Sequence, residues 1–255
     1  MAANSYGYTL PAGKTLESIT LPHNASVRIL GAVLSEPTAV DLSWNAYGIV
    51  VGNNQVPNSQ GFDGDGNYYN AYSGNVVSDA LGRLASSNSN FDYMQISWGG
   101  ATFNLGPAPN HYSQSNNRNG NDNVLQARGQ TISVPAGDFS QLLLIGAAAG
   151  GNQSGTITFH FAGESSGIPW TQTFTDWRNS SSTNNPPPSG SALGASGESL
   201  VAVTNVVNQV GNQQTNENAF VYGYSFDLTP YAGMTLESIT LPNNSHVGIL
   251  GMALV

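Results

Sequence analysis

The chain has 255 residues, of which 15 are acidic and 6 basic, for a formal net charge of −9. Lys14 is the one lysine, and cysteine is absent. These counts exclude a basic nucleic-acid surface, which needs clustered Lys and Arg to displace phosphate counterions, as well as a disulfide framework, a thiol nucleophile and a Cys-based zinc site.

In chain order, Met1-Ala-Ala-Asn4 lacks the basic and apolar regions of a signal peptide, so the expectation is a mature form or a piece of a larger chain. Two strand-like runs follow, Thr15–Leu21 and Val27–Leu34. A short helical turn is expected around Ser78–Ala85, a turn at Gly99-Gly100 and a long loop from Asn104 to Asp122. Thr131–Val134 reads as a strand ended by Pro135-Ala-Gly137. The longest apolar run, Leu142–Ala149, has the length of a buried strand and falls short of the ~18 residues of a membrane-crossing helix. Beyond the Gly150-Gly151-Asn152 turn, Ile157, Phe159 and Phe161 alternate with Thr156, Thr158 and His160, so one sheet face is apolar and the other polar. Gly167-Ile-Pro169 reads as a turn, and Asn179–Ser199, with Pro186-Pro-Pro188, as a second long loop. Ser199–Val207 is β-branched, and Phe220, Tyr222, Tyr224 and Phe226 line one side of a further strand. Many short strands, Gly/Asn turns and no convincing amphipathic helix predict an all-β, antiparallel two-sheet β-sandwich of jelly-roll type with long loops.

The chain also repeats itself. Thr15-Leu-Glu-Ser-Ile-Thr-Leu-Pro22 recurs letter for letter as Thr235–Pro242, and 14 of the 21 positions from 15 to 35 are identical to those 220 residues later. That offset is the length of a whole domain rather than of a solenoid unit. Residues 1–35 are therefore expected to be the C-terminal tail of a preceding repeat copy, and residues 36–255 a complete module. The apolar residues of the tail need cover, so it is expected to pair with the module or a neighbouring molecule by strand addition, giving self-association through residues 1–35.

An ordered set of motifs carries a family likeness: Phe62-Asp-Gly-Asp-Gly66, Thr102–Ala108, Gly129–Gly137, Phe174-Thr-Asp-Trp177, Tyr222-Gly-Tyr224 and Ser238–Asn244. Over residues 37–255 the chain resembles a β-sandwich accessory module appended to secreted bacterial glycosidases and other hydrolases. That resemblance implies a secreted, noncatalytic, carbohydrate-binding role, and it transfers no catalytic residue. The chain departs from the pattern in an Asn/Ser-rich insert at 109–123 and a Pro-rich insert at 180–196.

Asp63, Asp65 and Asn67 place oxygen ligands at alternate positions, as at the opening of a calcium loop, although Tyr68 and Gly74 stand where such a loop has its Gly and its Glu. The two readings are calcium and an Asp/Gly turn. Sugar faces stack on aromatic rings while amides and Arg read hydroxyls. The expected polysaccharide contacts are therefore Tyr68, Tyr69 and Tyr72 with Asn67 and Asn70, the ring of Trp170, and Tyr112 with Arg118 from the facing loop. Trp98 and Trp177 are expected in the core, where large rings contribute most. The alternative is a glycoside hydrolase, which needs two carboxylates about 5–10 Å apart; the candidates are Glu217, Asp176, Glu164 and Glu198, with Asp138 behind. A further alternative is a structural module that forms filaments or arrays by strand exchange through the duplicated tail. The four histidines share no metal-ligand spacing.

Overall fold

The computed structural model describes residues 37–46, 48–50, 70–73, 78–79, 94–105, 122–178, 198–208 and 213–255. Fifteen strands lie in these segments. In chain order they are β1 (Thr38–Ala39), β2 (Ile49–Val50), β3 (Asn70–Ser73), β4 (Ser78–Asp79), β5 (Met94–Trp98), β6 (Ala101–Leu105), β7 (Leu125–Arg128) and β8 (Thr131–Gly137). They continue with β9 (Gln141–Ala148), β10 (Gln153–Phe161), β11 (Ile168–Phe174), β12 (Glu198–Asn208), β13 (Gln213–Asp227), β14 (Leu236–Thr240) and β15 (Asn243–Leu254). One 3-10 turn, Thr229–Tyr231, begins beside Pro230. No α-helix occurs among the described residues, and Ser78–Asp79 is a strand where a helical turn was expected.

Two sheets face each other. The larger runs β1-β15-β9-β13-β12-β3-β2, with β7 also on β15 and β4 also on β12; the smaller runs β11-β10-β14-β8. All pairs are antiparallel except β2 with β3. The alternation read in β10 is a half-buried strand: Ile157, Phe159 and Phe161 are buried, while Ser154 and Thr156 are exposed. His160 is half-buried on the polar face, its Nε2 2.8 Å from Thr240 Oγ1. Opposite, Phe226 meets Phe159 and Trp170 at centroid distances of 6.1 and 5.8 Å, and Phe174 meets Tyr224 edge-on at 4.9 Å. These rings are the seam between the sheets.

β9 does not alternate, because Leu142 through Ala148 are all buried. The reason is a third layer: the β5–β6 hairpin covers the outer face of the large sheet. Its two-residue turn, Gly99-Gly100, has positive φ at both positions, as a tight hairpin of matching twist requires. Trp98, at the end of β5, lies so close to β13 that a Cβ on Gly223 would come within 2.7 Å of its ring. Only glycine allows that approach.

Both proline-marked turns are displaced. β8 continues through Pro135 to Gly137, and Pro169 lies within β11. Both strands are edges of the small sheet, where a missing N–H costs no ladder hydrogen bond.

Candidate functional site

At one edge of the sandwich the segment 40–49 is bound to β15 and β7. Val40 N–H donates to Met252 O at 3.0 Å, and Asn45 and Ala46 donate to Val124 O at 3.2 and 3.0 Å. Asn123 is fully buried. Its Oδ1 accepts from the N–H groups of Gly48 (2.9 Å) and Ile49 (3.0 Å), and its Nδ2 donates to Ile49 O (2.9 Å). A buried amide with its bonding capacity used in this way fixes the segment in one register.

An amide relay continues from that anchor. Gln126 N–H donates to Asn45 Oδ1 (2.8 Å) and Asn45 Nδ2 returns to Gln126 O (3.2 Å). Gln130 Nε2 donates to Gln126 O (2.8 Å), and Arg128 Nη2 donates to Gln126 Oε1 (2.6 Å). Gly129, with φ +75, makes the turn that sets Arg128 and Gln130 side by side. The result is a groove of about 540 Å³. Leu125 and Ile132 contribute its apolar surface, and Asp41, Ser43, Asn45, Arg128, Gln130, Thr131 and Ser133 its polar lining. No described carboxylate is paired with Arg128. The groove presents a carboxylate acceptor, guanidinium donors, amides and hydroxyls, of which Asn45, Arg128 and Gln130 are held by the relay.

A second cluster lies between the sheets where residues 175–177 close the end of the sandwich. Trp177 N–H donates to Ala148 O and Phe220 N–H to Trp177 O, both at 2.8 Å. Trp177 is 1% exposed, as expected for a core ring, and it packs edge-on against Tyr72 at 4.8 Å. Glu198 is 7% exposed, and its Oε1 has no hydrogen-bond partner. Burial pushes its carboxyl above the ordinary glutamate range, while hydrogen bonds from the Thr175 and Tyr224 hydroxyls pull the other way. The Tyr224 phenol is pushed well above its usual value, first by burial and then by the Glu198 charge.

The residues singled out by sequence fall in different places. Tyr72, expected on a sugar-stacking surface, is a core ring at 2% exposure whose hydroxyl donates to Phe220 O (2.9 Å). Asn70 lies on the backbone of β3. Trp170 is half-buried, turned edge-on to Phe226 on the inner face of β11. Tyr68, Tyr69, Asn67, Asp63, Asp65, Tyr112 and Arg118 lie outside the described residues. Asp176 carries structure: its carboxylate accepts from the N–H groups of Gly151 and Arg178, and its own N–H goes to Asn152 Oδ1 (2.9 Å). Glu164 is exposed in the β10–β11 turn. Glu217 lies in β13 seven residues before Tyr224, the ladder partner of Glu198, which separates the two backbones by roughly 23 Å. Among the described residues no three His, Cys, Asp or Glu side chains converge as metal ligands, and no helix is long and apolar enough to cross a membrane.

The groove went unread in the sequence because Asp41, Asn45, Arg128 and Gln130 share no motif. The one available signal was Arg128-Gly-Gln130, a polar turn in a chain with few cations. Fold and groove together are those of a β-sandwich module with a polar groove at one edge. Residues 36–255 match the AziU2-like beta-sandwich domain, and the chain belongs to that family. No curated protein matches the chain.

Proposed function

We propose that the chain is a noncatalytic module that binds a neutral polysaccharide outside the cell, with the groove between residues 41–45 and the β7–β8 connection, where the chain passes from the large sheet to the small one, as its binding surface. The observation that carries this reading is the relay Asn45–Gln126–Gln130 with Arg128, which orients donors and acceptors beside Asp41. Sugar hydroxyls are donors and acceptors at once, and a pre-arranged amide and guanidinium set beside a carboxylate matches them at a reduced entropy cost of ordering loose side chains. The family-like motifs noted in the sequence point the same way. The carboxylates support binding over hydrolysis: Asp176 is committed to backbone N–H groups and Glu198 is enclosed.

Affinity electrophoresis on a polysaccharide panel, run beside a reducing-sugar assay, tests the proposal. Retardation without sugar release is expected, weakened at least tenfold by Arg128→Ala or Asp41→Ala. Release of reducing sugar, or retardation that neither variant changes, overturns it. Calcium held by Asp63, Asp65 and Asn67 belongs to the same reading. Adding calcium is expected to raise Tm by mass action, and Asp63→Ala with Asp65→Ala to abolish the rise; no calcium effect removes the ion from the proposal.

A further inference from the structure

Neither β14 nor β15 has a free edge. β14 is hydrogen-bonded to β10 on one side and β8 on the other, and β15 to β9 on one side and to β7 and β1 on the other. The end of β15 is also covered on both faces: Val247, Ile249, Leu250, Met252, Ala253 and Leu254 are each exposed by 2% or less. Phe103 of the covering hairpin lies against Gly251, where a Cβ would meet its ring at 2.8 Å.

Residues 27–34 carry the same requirement in sequence. Val27, Ile29, Leu30, Gly31 and Leu34 repeat Val247, Ile249, Leu250, Gly251 and Leu254, glycine included. Leu16, Ile19 and Leu21 repeat Leu236, Ile239 and Leu241, which are also buried. The edge strands β8 and β11 belong to a sheet covered on one face, so a strand added there would leave half of this apolar set in water. Such a run fits an interior slot covered above and below.

We propose that residues 15–34 of one copy of this chain take the place of residues 235–254 in another copy, so that copies exchange this closing segment, which supplies one strand to each sheet, instead of adding a strand at an edge. The contacts formed repeat those given up, so exchange costs little in packing and concentration decides its extent. One position fits badly. Arg28 stands where Gly248 is buried, paired in register with Ala147 and Gln126. A guanidinium there must be desolvated or must push its neighbours aside, and this favours the resident segment.

The absence of cysteine makes the test direct. Val247 lies opposite Ala148 in the β15–β9 ladder, so Val247→Cys with Ala148→Cys closes a disulfide within one chain and reports that the site accepts one. In the full chain, Val27→Cys with Ala148→Cys is expected to give disulfide-linked dimers on mild oxidation, increased severalfold by Arg28→Gly. No linked dimer while the resident pair closes, or a link closed within one chain, overturns the proposal. Light scattering on Arg28→Gly, which needs no thiol, is expected to show a dimer fraction rising with concentration; a monomer at every concentration overturns it as well.

Discussion

Glu198 stands directly opposite Tyr224 in the β12–β13 ladder, and the N–H of Thr175 donates to the Tyr224 hydroxyl at 2.9 Å. Three chain segments far apart in sequence thus meet at one buried acid. Burial favours its protonated form, which a neutral interior tolerates far better than a carboxylate.

A pH dependence follows from that shift. The folded state holds the Glu198 proton more tightly than the unfolded chain, so in the window between the ordinary glutamate value of about 4.3 and its raised folded value the unfolded state binds fewer protons. The Glu198 contribution is therefore full below that window and is lost as pH rises through it. Glu198→Gln, which stays neutral, is expected to flatten this part of the curve and to equal or exceed the parent in stability at neutral pH. Urea unfolding at a series of pH values checks this; a variant whose curve parallels the parent's contradicts it.

Tyr224→Phe removes the acceptor for the Thr175 N–H while leaving the ring contact with Phe174 at 4.9 Å. The expected cost is about 1–3 kcal/mol, from an orphaned donor beside a buried carboxyl. Equilibrium denaturation measures it, and a neutral substitution would show that the hydroxyl bond contributes nothing.

Asp176→Ala frees the N–H groups of Gly151 and Arg178. Stability is expected to fall by about 1–3 kcal/mol while polysaccharide retention at saturating stability stays within twofold of the parent. Loss of retention in a folded variant would instead place Asp176 in the recognition surface.

Gly223→Ala puts a methyl 2.7 Å from the ring atoms of Trp98. Overpacking of about 1–3 kcal/mol is expected, with a change in tryptophan fluorescence as the β5–β6 hairpin lifts. In a Trp98→Ala background the same substitution is expected to cost less than 1 kcal/mol, as a double-mutant cycle would show for residues in contact.

Much of the sandwich was legible locally, since a half-buried strand writes its environment into alternate residues: Ile157, Phe159 and Phe161 against Thr156 and Thr158. Where the environment is two-sided, as along Leu142–Ala148, the alternation vanishes and the run gives only a length. Prolines misled at Pro135 and Pro169, because a strand edge in need of no N–H is a property of the sheet and not of the residue's neighbours in sequence.

The candidate site was less legible for a related reason. Tyr72 and Trp177 are both aromatic and 105 positions apart, and nothing local says that they pack on each other at 4.8 Å in the core. Asp41 and Arg128 are 87 positions apart and line one groove because Asn45 is bonded to Gln126 of β7 and Asn123, just before β7, anchors Gly48 and Ile49.

By itself, the sequence determined an all-β sandwich with a weakly charged surface, and a duplicated closing segment at an offset of 220 residues. Composition, period and repetition are properties of the chain alone. Tertiary structure decided that the large sheet is covered on both faces, that Glu198 is enclosed, and that β15 occupies an interior slot rather than an edge. Each of these depends on contacts between segments remote in sequence, and burial and pairing exist only once those segments meet.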